Sequence, residues 1–171
     1  MTRRLQVVIE KCCTELNEGK EISMGDLVKI ADIIEQFVDR FHHFKEESAY
    51  FPATEGKDHY SEDVRKFLIE HEFGRRIAKR IRLHLEESKT QSNFNEPLVR
   101  YLRTYSVFIQ DHTSKEDKFF GDVQTHHSLS HREEQALAEK FDSLKEEWRK
   151  NNSDMYGNLE RLENTDWGKV A

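Results

Sequence analysis

The segment from Met24 to Pro52 reads MGDLVKIADIIEQFVDRFHHFKEESAYFP. Apolar side chains recur along it at intervals of three and four residues, which is typical of one face of an α-helix. Because proline cannot continue the hydrogen-bond pattern of a helix, the segment is predicted to be helical from Met24 to about Tyr50. The apolar stripe consists of Leu27, Ile30, Ala31, Ile34, Phe37, Val38 and Phe41.

Similar patterns predict four further helices on either side of this segment. They are expected at about 3–16, 61–85 (with Ser61 as the N-cap), 97–120 and 130–148. The fold class is therefore all-α, an antiparallel up-down four-helix bundle with an additional C-terminal helix. It is expected to fill residues 1–150, and residues 151–171 are expected to form a polar, loosely ordered tail.

The composition excludes several classes of protein. A net charge of −6 argues against a general nucleic-acid surface, and no apolar run reaches the roughly 20 residues of a membrane span. The two cysteines, Cys12 and Cys13, are adjacent, which disfavours an ordinary disulfide between them. The chain is therefore expected to be cytoplasmic, with no nucleic-acid or membrane partner and with any protein partner left open.

Two segments of the chain repeat one chemical pattern. HHFKEESAYF begins at His42 and HTSKEDKFF begins at His112, and both read H-x-x-K-E-[ED] with an aromatic residue eight positions after the histidine. Residues four apart on a helix project from the same face, about 6 Å apart along the axis. His42 with Glu46, and His112 with Glu116, are therefore candidate pairs of metal ligands.

The apolar stripes predict which side chains face the interior. His42 continues the inner stripe of its helix, His112 and Glu116 continue the stripe of theirs, and His71 lies in line with apolar residues of the third helix. His43 follows Gln36, Asp39 and Arg40, so His43 and Glu47 are predicted to face solvent.

Burying carboxylates is costly unless they are paired or bind a cation, and mixed imidazole and carboxylate ligands suit iron, manganese or zinc. Bridging carboxylates suit two metal ions held close together. The alternative is a set of hydrogen-bonded core histidines with a structural ion-pair network through Lys45, Arg75 and Lys115. Gly74 indicates a close approach to the backbone beside His71, either by a ligand or by another helix.

Three blocks of the sequence resemble the hemerythrin-like, or HHE cation-binding, family. HHFKEESAYFP, EHEFGRR (70–76) and HTSKEDKFF are similar, in order, to the family's H-H-x-K-E-E…F-P, E-H-x-x-G-R and H-x-x-K-E-D…F-P blocks. The resemblance covers about residues 5–147 and implies a four-helix bundle around a non-haem di-iron site. The implied ligands, with both glutamates bridging the irons, are His42, Glu46, His71, His112 and Glu116.

The sequence departs from the family pattern at two positions. Gln6 stands where the family usually has a first-helix histidine, and Arg75 stands where older members have a second histidine on the third helix. The missing ligand is expected to be replaced by Gln6, Glu10, water or a residue upstream.

The resemblance implies that two non-haem iron ions, with zinc or manganese as alternatives, bind or sense dioxygen or a related small oxidant. Tyr105, two turns before His112, is the candidate donor of a hydrogen bond to that oxidant. One rival is a di-iron enzyme acting on peroxide, nitric oxide or ferrous iron. Another is a helical interaction module whose metal site has degenerated, which the missing first-helix histidine motivates.

Overall fold

The computed structural model describes residues 1–57, 59–88 and 95–168, and these residues are all-helical, with no strand among them. The prediction of an all-α protein is confirmed at this level. The helices are α1 (Thr2–Asn17), α2 (Met24–Ile33), α3 (Phe51–Thr54), α4 (Tyr60–Ser88), α5 (Asn95–Thr125), α6 (His131–Asn151) and α7 (Met155–Glu163). Two π-helical segments, Ile34–His43 and Glu46–Tyr50, continue α2 without a break as far as α3.

We call this continuous rod, Met24–Thr54, the π-containing helix. Its wider turns are visible in the backbone, where the amide of Phe44 donates to the carbonyl of Asp39 and the amide of Phe51 donates to the carbonyl of Glu46. Each bond spans five residues instead of the four of an α-helix. The 3.6-residue period that was read from the sequence therefore fails after Ile33.

The main core joins α1, α2, α4, α5 and α7. α1 and α4 both pack against α5, and α7 packs against α1 and α2. Met155, Leu159 and Leu162 of α7 are buried in this core, so this stretch differs from the loosely ordered tail expected of residues 151–171.

A second, smaller apolar core lies at the other end of α4 and α5. It is formed by Phe51, Tyr60, Val64, Phe67, Phe119, Val123 and Leu129. Between the two cores, the π-containing helix, α4 and α5 each carry ionisable side chains. These side chains form a polar layer between the two apolar cores.

The close approach expected at Gly74 is a contact between helices. A Cβ atom at this position would lie 2.6 Å from Cε1 of Phe108, a residue of α5. The ring of Phe108 in turn stacks on the imidazole of His112, with centroids 5.4 Å apart. Gly74 therefore lets Phe108 reach the polar layer.

Within the described ranges, none of the helices is long and apolar enough to cross a membrane.

Candidate metal centre

The polar layer is built from side chains that the two cores enclose. Glu46, His71, His112 and Glu116 are each 2% exposed or less, and the His42 side chain is 19% exposed. Phe51 and Phe67 cover the histidines from the smaller core, while Phe108 and Phe37 cover them from the main core. All five residues predicted as ligands thus lie together.

The prediction that His43 faces solvent is wrong. His43 is 1% exposed, and its ring stacks on that of His71 with centroids 3.9 Å apart. The wider turns of the π-helical segment explain the difference, because they reduce the angle between consecutive side chains and bring His42 and His43 to the interior together. The long π-helical run itself has no clear signal in the sequence.

The six side chains form two groups of three. One group is His43, His71 and His112, and the other is His42, Glu46 and Glu116; in each group the candidate ligand atoms lie within 4.8 Å of one another. Ligand atoms about 2.0–2.2 Å from a single ion are about 3–4.4 Å apart. Small side-chain movements would therefore close either group around one ion.

The two carboxylates connect the groups. Oε1 of Glu116 lies 3.0 Å from Nε2 of His112 and 3.6 Å from Nε2 of His71, while its Oε2 lies 3.8 Å from Nε2 of His42. Glu46 spans the same gap, with Oε1 3.1 Å from Nδ1 of His42 and Oε2 3.7 Å from Nε2 of His71. Each glutamate therefore presents one oxygen to each group.

Two outer carboxylates fix the orientation of the inner histidines. Nδ1 of His71 is 2.7 Å from Oε1 of Glu47, and Nδ1 of His112 is 2.7 Å from Oε2 of Glu70. A carboxylate oxygen only accepts, so each Nδ1 carries the donated proton and each Nε2 points inward. The two Nε2 atoms are 3.1 Å apart, a separation at which a proton or a cation must lie between their lone pairs.

Two cations hold the outer carboxylates in turn. Arg75 donates to Glu47 and to Asp39, both at 2.6 Å, and Lys115 donates to Glu70 at 2.6 Å. The ion-pair network expected from Arg75 and Lys115 is therefore present, but it surrounds the buried layer and does not replace it. Lys45 instead lies over the ring of Phe141 of α6.

Burial and neighbouring groups shift the pKa values of these side chains in different directions. Burial, with the neighbouring Glu116, raises the pKa of Glu46 well above its usual range. Burial also disfavours the ionised form of Glu116, but the close imidazoles of His112 and His71 outweigh it and hold the pKa of Glu116 below the usual range. Burial lowers the pKa of His42 to about 4 and that of His43 well below its usual value, so both rings are neutral and can coordinate a metal.

Several buried polar atoms in the layer have no hydrogen-bond partner. They are both ring nitrogens of His43, Oε2 of Glu46 and Oε1 of Glu116. The last approaches Nε2 of His112 without the direction of a hydrogen bond. Unpaired buried polar atoms are costly, and these converge from three helices on one small volume. A divalent cation bound by imidazole and carboxylate fits this donor set.

The first helix does not reach the layer in the way that was expected of Gln6 or Glu10. The Gln6 amide donates to Oε1 of Glu10 at 3.0 Å, and the hydroxyl of Ser106 donates to the same oxygen at 3.2 Å. Glu10 is exposed. The additional imidazole inside the layer comes from His43.

Tyr105 is buried, and its ring packs against Phe108 with centroids 6.0 Å apart. Burial, and to a smaller extent the Asp39 carboxylate, raises its pKa above the usual range, so the hydroxyl keeps its proton. Its suggested hydrogen bond to an oxidant stays a prediction.

The cysteines are packing residues. Cys12 and Cys13 are free and buried, and burial raises the pKa of Cys13 to about 11.

A comparison with protein families agrees with this geometry. The family model described as "Hemerythrin HHE cation binding domain" matches residues 1–123. No curated protein and no solved structure matches the chain. The matched region contains all six side chains of the polar layer and ends before α6 and α7.

Proposed function

The chain belongs to the hemerythrin HHE cation-binding domain family, and on that premise we propose that it holds a pair of non-haem iron ions with which it binds or senses dioxygen or a related small oxidant. His43, His71 and His112 would hold one ion, and His42 would hold the other. Glu46 and Glu116 would bridge them, with zinc or manganese as alternative metals.

The observation that carries this proposal is the set of buried polar atoms in the layer that lack ordinary hydrogen-bond partners. The inward Nε2 atoms of His71 and His112 are 3.1 Å apart, and both nitrogens of His43 lack a partner although the ring is buried. A core histidine that served packing alone would have a hydrogen-bonded nitrogen, and a carboxylate such as Glu46 would avoid burial. A bound cation would take one nitrogen of each of these rings and the unpaired carboxylate oxygens as ligands.

An iron pair supplies the electrons for reducing an oxidant, and the protein supplies the surroundings. Glu47 and Glu70 keep the protons of His71 and His112 on Nδ1, which leaves Nε2 free for a metal. The rings of Phe37, Phe51 and Phe108 restrict the access of water to the layer. Tyr105, whose hydroxyl keeps its proton, is the proposed hydrogen-bond donor to the oxidant.

The proposal also includes the topology of the helices and the cellular setting of the protein. The arrangement of α1, the π-containing helix, α4 and α5 as an antiparallel up-and-down four-helix bundle is supported by the packing of α1 and α4 on α5 and of α2 on α4. A reducing, cytoplasmic setting is supported by two adjacent cysteines that remain free thiols.

The test is metal loading followed by oxidation. Protein purified without chelator would be stripped of metal, titrated with ferrous iron under anaerobic conditions, and its iron content and absorption spectrum measured before and after exposure to air. Two iron ions per chain, and near-ultraviolet bands of an oxo-bridged ferric pair after exposure, are expected. Fewer than one bound metal per chain would contradict the proposal and would favour an interaction module.

Steady-state turnover separates binding from catalysis. The iron-loaded protein would be supplied with peroxide, nitric oxide or ferrous iron in excess, and consumption would be followed over many equivalents. A sensor or carrier is expected to react once per site. Sustained turnover of any of the three would identify an enzyme instead.

A further inference from the structure

Helix α6 packs along the outside of the π-containing helix, and it lies beyond the region that the family model matches. Near the start of α6, Leu137 packs on the smaller core, and Phe141 lies against Tyr50 and Lys45. Near its end, Trp148 is buried against the first π-helical segment. α6 thus follows the helix that carries three of the layer's six side chains, His42, His43 and Glu46.

Trp148 contacts both ends of one wide turn. Its indole Nε1 donates to the backbone carbonyl of Gln36 at 2.8 Å, and its ring stacks on Phe41 with centroids 4.8 Å apart. Gln36 and Phe41 are five residues apart, the spacing that a π-helical hydrogen bond spans. One side chain from α6 therefore holds the carbonyl at the start of the turn and the side chain at its end.

This wide turn immediately precedes the two adjacent histidines. His42 and His43 follow Phe41 directly, and each belongs to a different group of candidate ligands. Trp148 also contacts Phe37 edge-on at 5.7 Å, and Phe37 stacks on the His42 ring at 6.4 Å. If the turn tightened to an α-helical one, His43 would rotate toward the solvent-facing row that its sequence spacing predicts.

We propose that Trp148 is a positioning residue for the metal centre, which keeps the turn Gln36–Phe41 π-helical and so directs both His42 and His43 into the polar layer. π-helical turns are rare and usually short, so a long run of them depends on tertiary contacts. The indole bond and the Phe41 stack are such contacts, and α6 supplies both. This inference rests on the proposed function only for its effect on metal binding, because the holding of the turn is a property of the protein alone.

The substitution Trp148→Phe tests this proposal, because it keeps an aromatic ring and removes the donor to Gln36. The chain provides a matched control in Trp167→Phe. Trp167 is partly buried against the main core, and its Nε1 donates to Asp26 at 3.3 Å, at the ordinary α-helical start of the same π-containing helix. Both variants lose one indole hydrogen bond to the same rod.

The first measurement is hydrogen exchange of the metal-free proteins. Trp148→Phe is expected to lose protection at the amides of residues 40–44, because their five-residue bonds must open each time the released turn changes to α-helical spacing, while Trp167→Phe keeps it there. Equal protection in the two variants would overturn the proposal, whether or not the protein binds metal.

The second measurement is the dissociation constant for ferrous iron under anaerobic conditions. A hydrogen bond of ordinary net strength corresponds to a factor of about 2–10 in an equilibrium constant, and Trp148→Phe is expected to weaken binding by that factor relative to Trp167→Phe. Unchanged affinity despite lost protection would overturn the positioning role. A wild-type protein that takes up no iron would refute the proposed function instead, and the exchange comparison would still decide whether Trp148 holds the turn.

Discussion

At the scale of single residues, His43 is the residue for which helical periodicity predicted the wrong face. His42 and His43 are neighbours, and an α-helix would separate them by about 100°, with one inside and one outside. Both are inside, in different candidate ligand groups. The predicted ligands were found together, yet the additional buried imidazole, His43, could not be identified from the 3.6-residue period.

Replacing His43 with Ala is expected to lower the iron content and weaken the remaining binding, because one of the two groups loses an imidazole. The control is His126→Ala, which removes an exposed histidine bonded to the Asp122 carbonyl. Metal analysis after identical loading measures the effect. If the His43 variant retained the metal content of the control, His43 would not be a metal ligand.

Arg75 acts on the layer through Glu47. Its guanidinium bonds Glu47 and Asp39, which lie on either side of the candidate ligands His42 and His43 in the sequence. Arg75→Gln is expected to weaken metal binding by about 3–10-fold, less than the 10–100-fold typical of a group that bonds a ligand directly.

Arg76→Gln provides the comparison for Arg75, since this neighbouring guanidinium pairs on the exposed surface with Glu72. Calorimetric titration of both variants with metal would measure the difference. An equal affinity in the two variants would show that the bond between Glu47 and His71 holds without Arg75.

Replacing Gly74 with Ala is expected to destabilise the protein, although alanine usually stabilises a helix relative to glycine. Alanine in place of a mid-helix glycine stabilises by about 1 kcal/mol, but here the new Cβ would meet Phe108 Cε1 at 2.6 Å. Overpacking costs about 1–3 kcal/mol, so Gly74→Ala should lower the free energy of unfolding. Gly121→Ala, where nothing lies within 4 Å of the new atom, should raise it. Urea unfolding of the two variants measures both signs; a stabilised Gly74 variant would mean that Phe108 moves freely.

At the scale of helices, periodicity predicted the existence and approximate bounds of α1, α4, α5 and α6. The capping box at Ser130 is present as expected, with the Ser130 hydroxyl accepting from the Glu133 amide and the Glu133 side chain accepting from the Ser130 amide. The π-helical segments were missed because local periodicity does not show contacts from far along the chain, such as those that Trp148 makes with Gln36 and Phe41. α7 was missed because Met155, Leu159 and Leu162 are few apolar residues in a polar stretch.

The start of α6 is tied to the rest of the protein by a pH-dependent pair. Lys57 donates to Glu133 at 2.5 Å, and this ammonium, with the hydrogen bonds from Ser130, lowers the pKa of Glu133 to about 2. A carboxyl whose pKa is lower in the folded state adds stability above its unfolded pKa and loses that contribution as pH falls through the folded value. The pair should therefore stabilise the protein at neutral pH and cease to do so near pH 2.

The substitution Glu133→Gln is expected to destabilise the protein at pH 7 and to have progressively less effect as the pH falls from about 4.5 towards 2, the interval between the unfolded and folded pKa values. Unfolding by urea across this range would give the difference between wild type and variant at each pH. Glu134→Gln, at the adjacent exposed position, serves as the control and should give no such trend. If the difference in free energy of unfolding between wild type and Glu133→Gln stayed constant with pH, the Lys57–Glu133 pair would not persist in solution.

At the scale of the whole molecule, the fold sandwiches a polar layer between two apolar cores. The all-helical class and the region of the site could be predicted because composition and the three sequence blocks are local properties. The relation between the two cores could not, since it depends on how α4 and α5 pack and on how wide the turns of the π-containing helix are. The layer is the part of the molecule whose stability should depend most on a bound cation.

Metal binding should therefore stabilise the entire fold. Without a cation, burial disfavours the ionised form of Glu46, whose pKa is raised well above its usual range, and the ring nitrogens of His43 stay unpaired, so the layer contributes little to stability. A ligand that binds only the folded state at 100 times its dissociation constant adds about 2.7 kcal/mol, and a domain of this size gains about 2–4 °C in Tm per kcal/mol. A rise of about 5–11 °C in Tm is expected on adding ferrous iron to the stripped protein.

Magnesium, which prefers oxygen ligands, should produce no comparable rise. The variant Glu116→Gln, which loses one bridging carboxylate, should show a smaller iron-dependent shift than wild type. An unchanged melting curve with verified iron uptake would mean that the ions bind somewhere that the folded core does not need.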